Sequence, residues 1–202
     1  MKTISSTLLL ILLPVSAVFT LGATFDQTKS KLAGSRCVYF QFLSTVDSKV
    51  FDSVDSSYCS AYISKDGRFR VEVGPDYYIY NGDSLYSFSW ENNQIVIEKP
   101  DDSDAVSSEI SFVMKLQEWY DSKSMKKKNS YKLTKKKGIS GDIPDSMVIS
   151  INDKTADIKT VEYYDINGDL NHIMILEQAA DSTCNGKRFI PEISDSTERI
   201  RI

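Results

Sequence analysis

The chain has 202 residues, 41% of them hydrophobic and 26% charged, with 24 basic against 28 acidic side chains and a formal net charge of −4. A mildly acidic chain of this length supports one domain and argues against nucleic acid as its main partner. Three cysteines are too few for a disulfide-scaffold protein, and no internal repeat is present.

Lys2, an apolar run over residues 8–13 and small-residue sites at Val15-Ser16-Ala17 or Leu21-Gly22-Ala23 predict a signal peptide over residues 1–23, cleaved after Ala17 or Ala23. The run is shorter than the ~20 residues that span a bilayer, which weighs against an uncleaved anchor. No cysteine lies near the cleavage sites, so residues 24–202 are expected as one exported, soluble domain without a lipid of its own.

Residues 24–35 place Phe25, Thr28 and Leu32 on one face and end at Gly34, predicting a short amphipathic helix. Residues 36–46 follow as a strand, with Val38, Phe40 and Phe42 on one side and Cys37, Tyr39 and Gln41 on the other. An oxidising compartment would let two cysteines pair. Cys37 and Cys59 are symmetric about Asp47-Ser48, the expected hairpin tip, which makes them the candidate disulfide and leaves Cys184 free. Two small buried thiols on facing strands is the other reading.

Residues 57–99 form the organising stretch, a meander rich in Tyr, Phe, Val and Ile, broken at Asp66-Gly67, Gly74-Pro75, Asn81-Gly82 and Asn92-Asn93. Asp-Gly and Asn-Gly supply the positive φ that tight hairpin turns demand. Alternation sets Arg68, Arg70 and Glu72 toward water and Phe69, Val71 and Val73 toward a core. It also puts Tyr86, Phe88 and Trp90 on one face, read as the inner one, opposite Ser87 and Ser89.

After a breaker over residues 100–104 the period changes. Ile110, Val113, Met114, Leu116 and Trp119 recur at helical spacing, predicting an amphipathic helix over residues 105–123 in one or two pieces. Lys123, Lys126, Lys127, Lys128, Lys132, Lys135, Lys136 and Lys137 then cluster. They read as solvated edge-strand and turn lysines, with an anionic membrane or partner surface as the alternative. Strands are expected again at residues 131–135, 146–152, 158–165, 170–177 and 187–190. The count gives about eleven strands and two helices in one curved sheet, a mainly β (α+β) fold.

Residues 61–70 (AYISKDGRFR) and 78–88 (YIYNGDSLYSF) resemble the outer-membrane lipoprotein carrier protein (LolA) family, whose D-G-x-x-L-W-x-Y segment is matched in variant form by Asn81-Gly82-Asp83-Ser84-Leu85-Tyr86-Ser87-Phe88. Residues 147–177, with a hairpin at Asp165 to Leu170, resemble the family's C-terminal meander, and the likeness extends over roughly residues 25–192. It implies an unclosed antiparallel β-barrel covered by a helical lid. It also implies a periplasmic chaperone, with no cofactor, that takes acylated lipoproteins from an inner-membrane ABC transporter to an outer-membrane acceptor lipoprotein. The family's latch arginine before the turn is matched by Lys65, followed here by Asp66, with Arg68 as a nearby substitute; lysine lacks the planar fork of arginine. The family's Phe on the next strand is matched by Phe69.

Each buried methylene contributes about 0.8 kcal/mol, so acyl carriage needs a large apolar enclosure. Phe40, Phe69, Val71, Tyr78, Tyr80, Tyr86, Phe88 and Trp90 on the sheet, with Val113, Met114 and Trp119 on the helix, are the expected lining. An ordinary filled core is the competing reading. No catalytic or metal constellation accompanies them. His172 is the lone histidine, the cysteines are dispersed, and residues 165–169 read as a hairpin turn and not a calcium loop. The expectation is a monomeric carrier and not an enzyme. The alternatives are a periplasmic lipid- or peptide-sensing regulatory domain on the same half-barrel, or an enzyme with a small polar pocket.

Overall fold

The computed structural model describes residues 23–100, 112–139, 141 and 143–202. The predicted signal peptide, apart from Ala23, and the 105–111 part of the predicted second helix lie outside the described residues.

Helix α1 (Phe25–Gly34) is set by a capping box. The Thr24 hydroxyl accepts from Gln27 N, and the Gln27 side chain accepts from Thr24 N. It buries Phe25, Thr28 and Leu32, the stripe its sequence predicts. Two hairpin-rich halves follow. The first holds β1 (Cys37–Ser48), β2 (Ser53–Ser64), β3 (Phe69–Val73), β4 (Asp76–Tyr80), β5 (Leu85–Ser89) and β6 (Gln94–Glu98). The second holds β7 (Tyr120–Ser124), β8 (Ser130–Lys135), β9 (Ser146–Ile151), β10 (Ile158–Tyr164), β11 (Leu170–Asp181) and β12 (Glu198–Arg201). Between the halves lie a 3₁₀ turn (Phe112–Lys115) and the single-turn helix α2 (Leu116–Trp119). Among the described residues no helix is long and apolar enough to cross a membrane.

All twelve strands join one sheet in the order β12-β6-β5-β4-β3-β2-β1-β11-β10-β9-β8-β7. β12 and β7 are its two edges, so the sheet does not close. Every pairing is antiparallel except β12 on β6. Glycines at positive φ make the sharp reversals, Gly82 at 100° after β4 and Gly168 at 81° after β10. Two β-bulges bend the strands. Leu176 is the extra residue where β11 passes Gln41 and Phe42, and Lys159 is the extra residue where β10 passes β9.

One face of the sheet holds the larger core, built on Val38, Phe40, Ala61, Ile63, Leu133, Met147, Ile149 and Val161 and covered by α1, the 3₁₀ turn and α2. Thr28 anchors α1 by donating to Ala156 O at 2.7 Å, and Lys31 pairs with Asp157. The other face has a second, smaller core of Cys37, Tyr62, Ile79 and Phe189. The chain after β11 closes it. Cys184 is disulfide-bonded to Cys37 with Cα atoms 5.1 Å apart, and Phe189 fits under the resulting strap. The Tyr77 hydroxyl donates to Glu192 O, and β12 completes the crossing at the β6 edge.

Four expectations need correction. The disulfide is Cys37–Cys184, not Cys37–Cys59, and Cys59 is a free buried thiol. The β1–β2 turn falls after Ser48, which faces Ser53, so Cys37 lies opposite Ser64 and Cys59 opposite Phe42. The helical segment stops at Trp119, because Tyr120–Ser124 pairs with β8 as a strand. Residues 187–190 are no strand: Gly186–Phe189 is a 3₁₀ turn capped by the Asn185 side chain. The sheet gains β7 and β12 instead, which gives twelve strands.

Candidate functional site

The site is an apolar cavity of about 180 Å³ between the larger-core face of the sheet and the segment over residues 112–116. Alternation builds its floor, since residues two apart on a strand share a face. β1 supplies Phe40 and Phe42, β2 supplies Ala61 and Ile63, and β3 supplies Val71. Across β1, β11 supplies Ile173 and Ile175, β10 supplies Ile158, Val161 and Tyr163, and β9 supplies Ile149. Phe112, Val113 and Leu116 roof it. Both bulges lie beside lining residues, at Phe42 with Ile175 and at Ile158, so the sheet curves where the cavity forms.

Tyr163 is the one described lining residue with a polar side-chain atom. Burial, and then the nearby Asp165, hold its phenol above the ordinary tyrosine range, so it stays neutral. No charged side chain is among these residues, and the lining is hydrocarbon apart from the one phenol. The Lys136 ammonium donates to Gln117 O and Glu118 O, both at 3.0 Å, and caps the one-turn helix.

Of the residues expected to line an enclosure, Phe40, Val71 and Val113 do so. Phe69 and Tyr80 lie on the same face but pack on each other with ring centroids 5.9 Å apart, and Tyr78 beside them is half exposed. Met114 and Trp119 pack into the core around the cavity. Tyr86, Phe88 and Trp90 are placed elsewhere. Tyr86 pairs with Ile79 and Phe88 stacks on Tyr77 at 4.8 Å, both on the strap face, while Trp90 sits in the turn after β5 and is 68% exposed. Alternation reports which residues share a face but not which side of the sheet that face occupies. Here the strap gives the far side an apolar cover of its own. The other eleven described lining residues, among them Phe42, Ala61, Ile63, Tyr163, Ile173 and Ile175, were not expected to line it. The signal of these named residues was the same i, i+2 pattern on four strands.

Lys65 reaches the C-terminal end of α1, donating to Ala33 O at 3.0 Å, where a cation complements the helix dipole. Arg68 does not touch that helix. Its guanidinium is spent on Asp66 and lies 4.7 Å over the Phe189 ring, which ties the β2–β3 turn to the strap. His172 sits half exposed in β11, 3.8 Å from its cross-strand neighbour Glu162. Asp165 closes a hairpin turn by accepting from the backbone N–H groups of Asn167 and Asp169. Among the described residues no cluster of His, Cys, Asp or Glu could hold a metal ion. The lysine cluster is divided between the β7–β8 turn, the exposed edge and ion pairs such as Lys135–Asp145 at 2.6 Å.

The strap face carries a larger but polar groove, about 820 Å³, with Tyr39, Tyr62, Arg70, Glu72 and Asp181 on the sheet side and Lys187 and Arg188 on the strap. Hydrogen bonds from Thr183 and from Tyr62 hold the Asp181 carboxyl well below the usual carboxylate range. Burial and the bond to Asp181 raise the Tyr62 phenol. Burial would raise Glu72, but donors from Arg70 and Ser60 outweigh it and the net shift is downward.

Neither a protein-family model nor a curated protein sequence matches the chain. Solved structures do. An uncharacterized conserved protein from Thermus thermophilus aligns with 88% of this chain and 97% of its own at 12% identity and a TM-score of 0.52. A DUF1329 family protein from Desulfovibrio piger aligns with 82% of this chain and 95% of its own at 12% identity and a TM-score of 0.46. A LolA superfamily protein from Nitrosomonas europaea aligns with 84% of this chain and 98% of its own at 9% identity and a TM-score of 0.43. At such identities the likeness to the Thermus protein is one of fold: a mostly β, unclosed sheet with two short helices.

Proposed function

We propose that the protein is a periplasmic chaperone that takes acyl chains of lipoproteins into the cavity on the larger-core face and carries them from the inner to the outer membrane. The observation that carries the reading is a cavity lined almost entirely by hydrocarbon, on the curved side of an unclosed sheet, under the short cover of residues 112–119. The resemblance of residues 61–70 and 78–88 to lipoprotein carriers supports it, and so does a disulfide, the mark of an oxidising compartment. An inner-membrane ABC transporter and an outer-membrane acceptor are the partners this reading requires.

Size sets the mechanism. Small-molecule pockets run to about 300–1,000 Å³, so 180 Å³ receives part of one chain and a full load requires the 112–119 cover to lift. A chain of a dozen methylenes offers about 10 kcal/mol of burial to offset that opening. The strap-face core and the disulfide lie on the opposite side of the sheet and keep the scaffold in shape while the cover moves. Native mass spectrometry of the protein purified from a bacterial periplasm tests the reading, together with titration of a fluorescent fatty acid. Co-purified acylated peptide and probe uptake that falls in Ala61→Trp are expected. Protein free of lipid that also ignores the probe overturns it.

A further inference from the structure

The tips of two neighbouring hairpins present apolar side chains that the cavity does not use. Between β1 and β2, Val50 and Phe51 are 70% and 79% exposed, and between β10 and β11, Ile166 is 87% exposed. The tips are adjacent because Asp47 of β1 pairs with Leu170 of β11. They are also braced. The buried Asp169 carboxylate accepts from Ser48 Oγ and Lys49 N, both at 3.0 Å, and the Ser48 hydroxyl accepts from Phe51 N. Asp165 fixes the second tip by accepting from Asn167 N and Asp169 N, and Lys49 lies 5.4 Å over the Tyr164 ring. These hydrogen bonds hold Phe51 and Ile166 out in water, where a slack loop would fold them back onto itself. Asp47, Asp52 and Asp55 are exposed around them, with Lys49 the cation at the tip.

We propose that this braced pair of tips inserts into the interface of a bilayer whose headgroups are zwitterionic. Protruding apolar side chains suit a deformable medium, and aromatic rings such as Phe51 and Tyr164 suit its interface. The ammonium groups of ethanolamine and choline headgroups complement the three aspartates, whereas an anionic surface repels them. The inference is independent of the carrier reading, because no tip residue lines the cavity.

The test is co-sedimentation of the purified protein with vesicles of phosphatidylcholine and phosphatidylethanolamine, and with the same vesicles carrying added phosphatidylglycerol. Binding to the zwitterionic vesicles is expected, weaker when anionic lipid is added. Phe51→Ser and Ile166→Ser should each weaken it about tenfold, and the double variant should abolish it. Both side chains stand in solvent, so the melting temperature and fatty-acid uptake of the variants should match the parent, which separates lost insertion from unfolding and from a failed cavity. No binding to zwitterionic vesicles, binding unchanged in the double variant, or stronger binding to the anionic vesicles overturns the proposal; the last two results would point to a protein-type contact or to the lysine cluster.

Discussion

Replacing Cys37 and Cys184 by serine tests the strap and its wiring together. The bridge closes a loop with a sequence separation of 147. The chain-entropy relation gives about 5 kcal/mol for a loop of that size, and native disulfides deliver about 2–5 kcal/mol in practice. For a chain of this length each kcal/mol moves the melting temperature by about 2–4 °C. The double variant should therefore melt roughly 5–15 °C below the oxidised parent. Parent protein reduced with dithiothreitol should melt with the variant. Cys59→Ser should retain the full response to reductant, since burial raises its thiol out of the reactive range and it takes no part in the bridge. Circular dichroism melts of the three proteins, with and without reductant, give the shifts, and non-reducing peptide mapping gives the connectivity. A melting temperature indifferent to reductant, or a bridge containing Cys59, refutes the reasoning.

Three further outcomes follow from named contacts. Phe189→Ala removes the largest fully buried side chain of the smaller core and should cost about 3 kcal/mol, with amide exchange rising first over residues 185–193; protection lost equally at β1 and β2 would contradict a separable strap. Asp181→Asn should lower the melting temperature at pH 7. The Asp181 carboxyl is depressed in the fold, so its contribution is present above the ordinary carboxylate range and is lost as pH falls through the folded value. The gap between parent and variant should then hold down to about pH 4 and close in stronger acid, and a gap that widens on acidification would be the wrong sign. Lys65→Ala should cost less than about 1 kcal/mol, the worth of one exposed cation at a helix end, yet speed amide exchange at the C-terminal end of α1; unchanged exchange there would remove its role as a tether.

The sequence is most legible where a local rule acts alone. The α1 stripe of Phe25, Thr28 and Leu32, the Asn-Gly and Asp-Gly reversals and the alternation along β1 and β3 all follow from short-range periodicity. Three of the cavity residues, Phe40, Val71 and Val113, emerge the same way. What stayed hidden depends on contacts remote in sequence. The Cys37–Cys184 bridge spans the two ends of the domain, and a shift of the hairpin tip by a few residues was enough to suggest Cys59 in its place. Tyr86 and Phe88 read as cavity residues because an aromatic face needs a cover, and the strap that covers them lies about a hundred residues further along. Tyr120–Ser124 reads as helix because Leu116 and Trp119 continue a helical spacing into it, and only pairing with β8 resolves the segment as a strand.

The parallel pairing of β12 with β6 has a consequence for biosynthesis. Glu198–Arg201 meets Gln94–Ile97, partners separated by about a hundred residues of intervening chain. Until Glu198–Arg201 is made, the β6 edge has its backbone donors and acceptors open to any extended segment nearby. The other edge, β7, follows Tyr120 with a short run of Asp, Ser and Lys that discourages such pairing, but Gln94–Glu98 is apolar at its three central positions. A chain that has made β6 but not yet β12 thus carries an adhesive margin, which the pairing of Glu198–Arg201 seals.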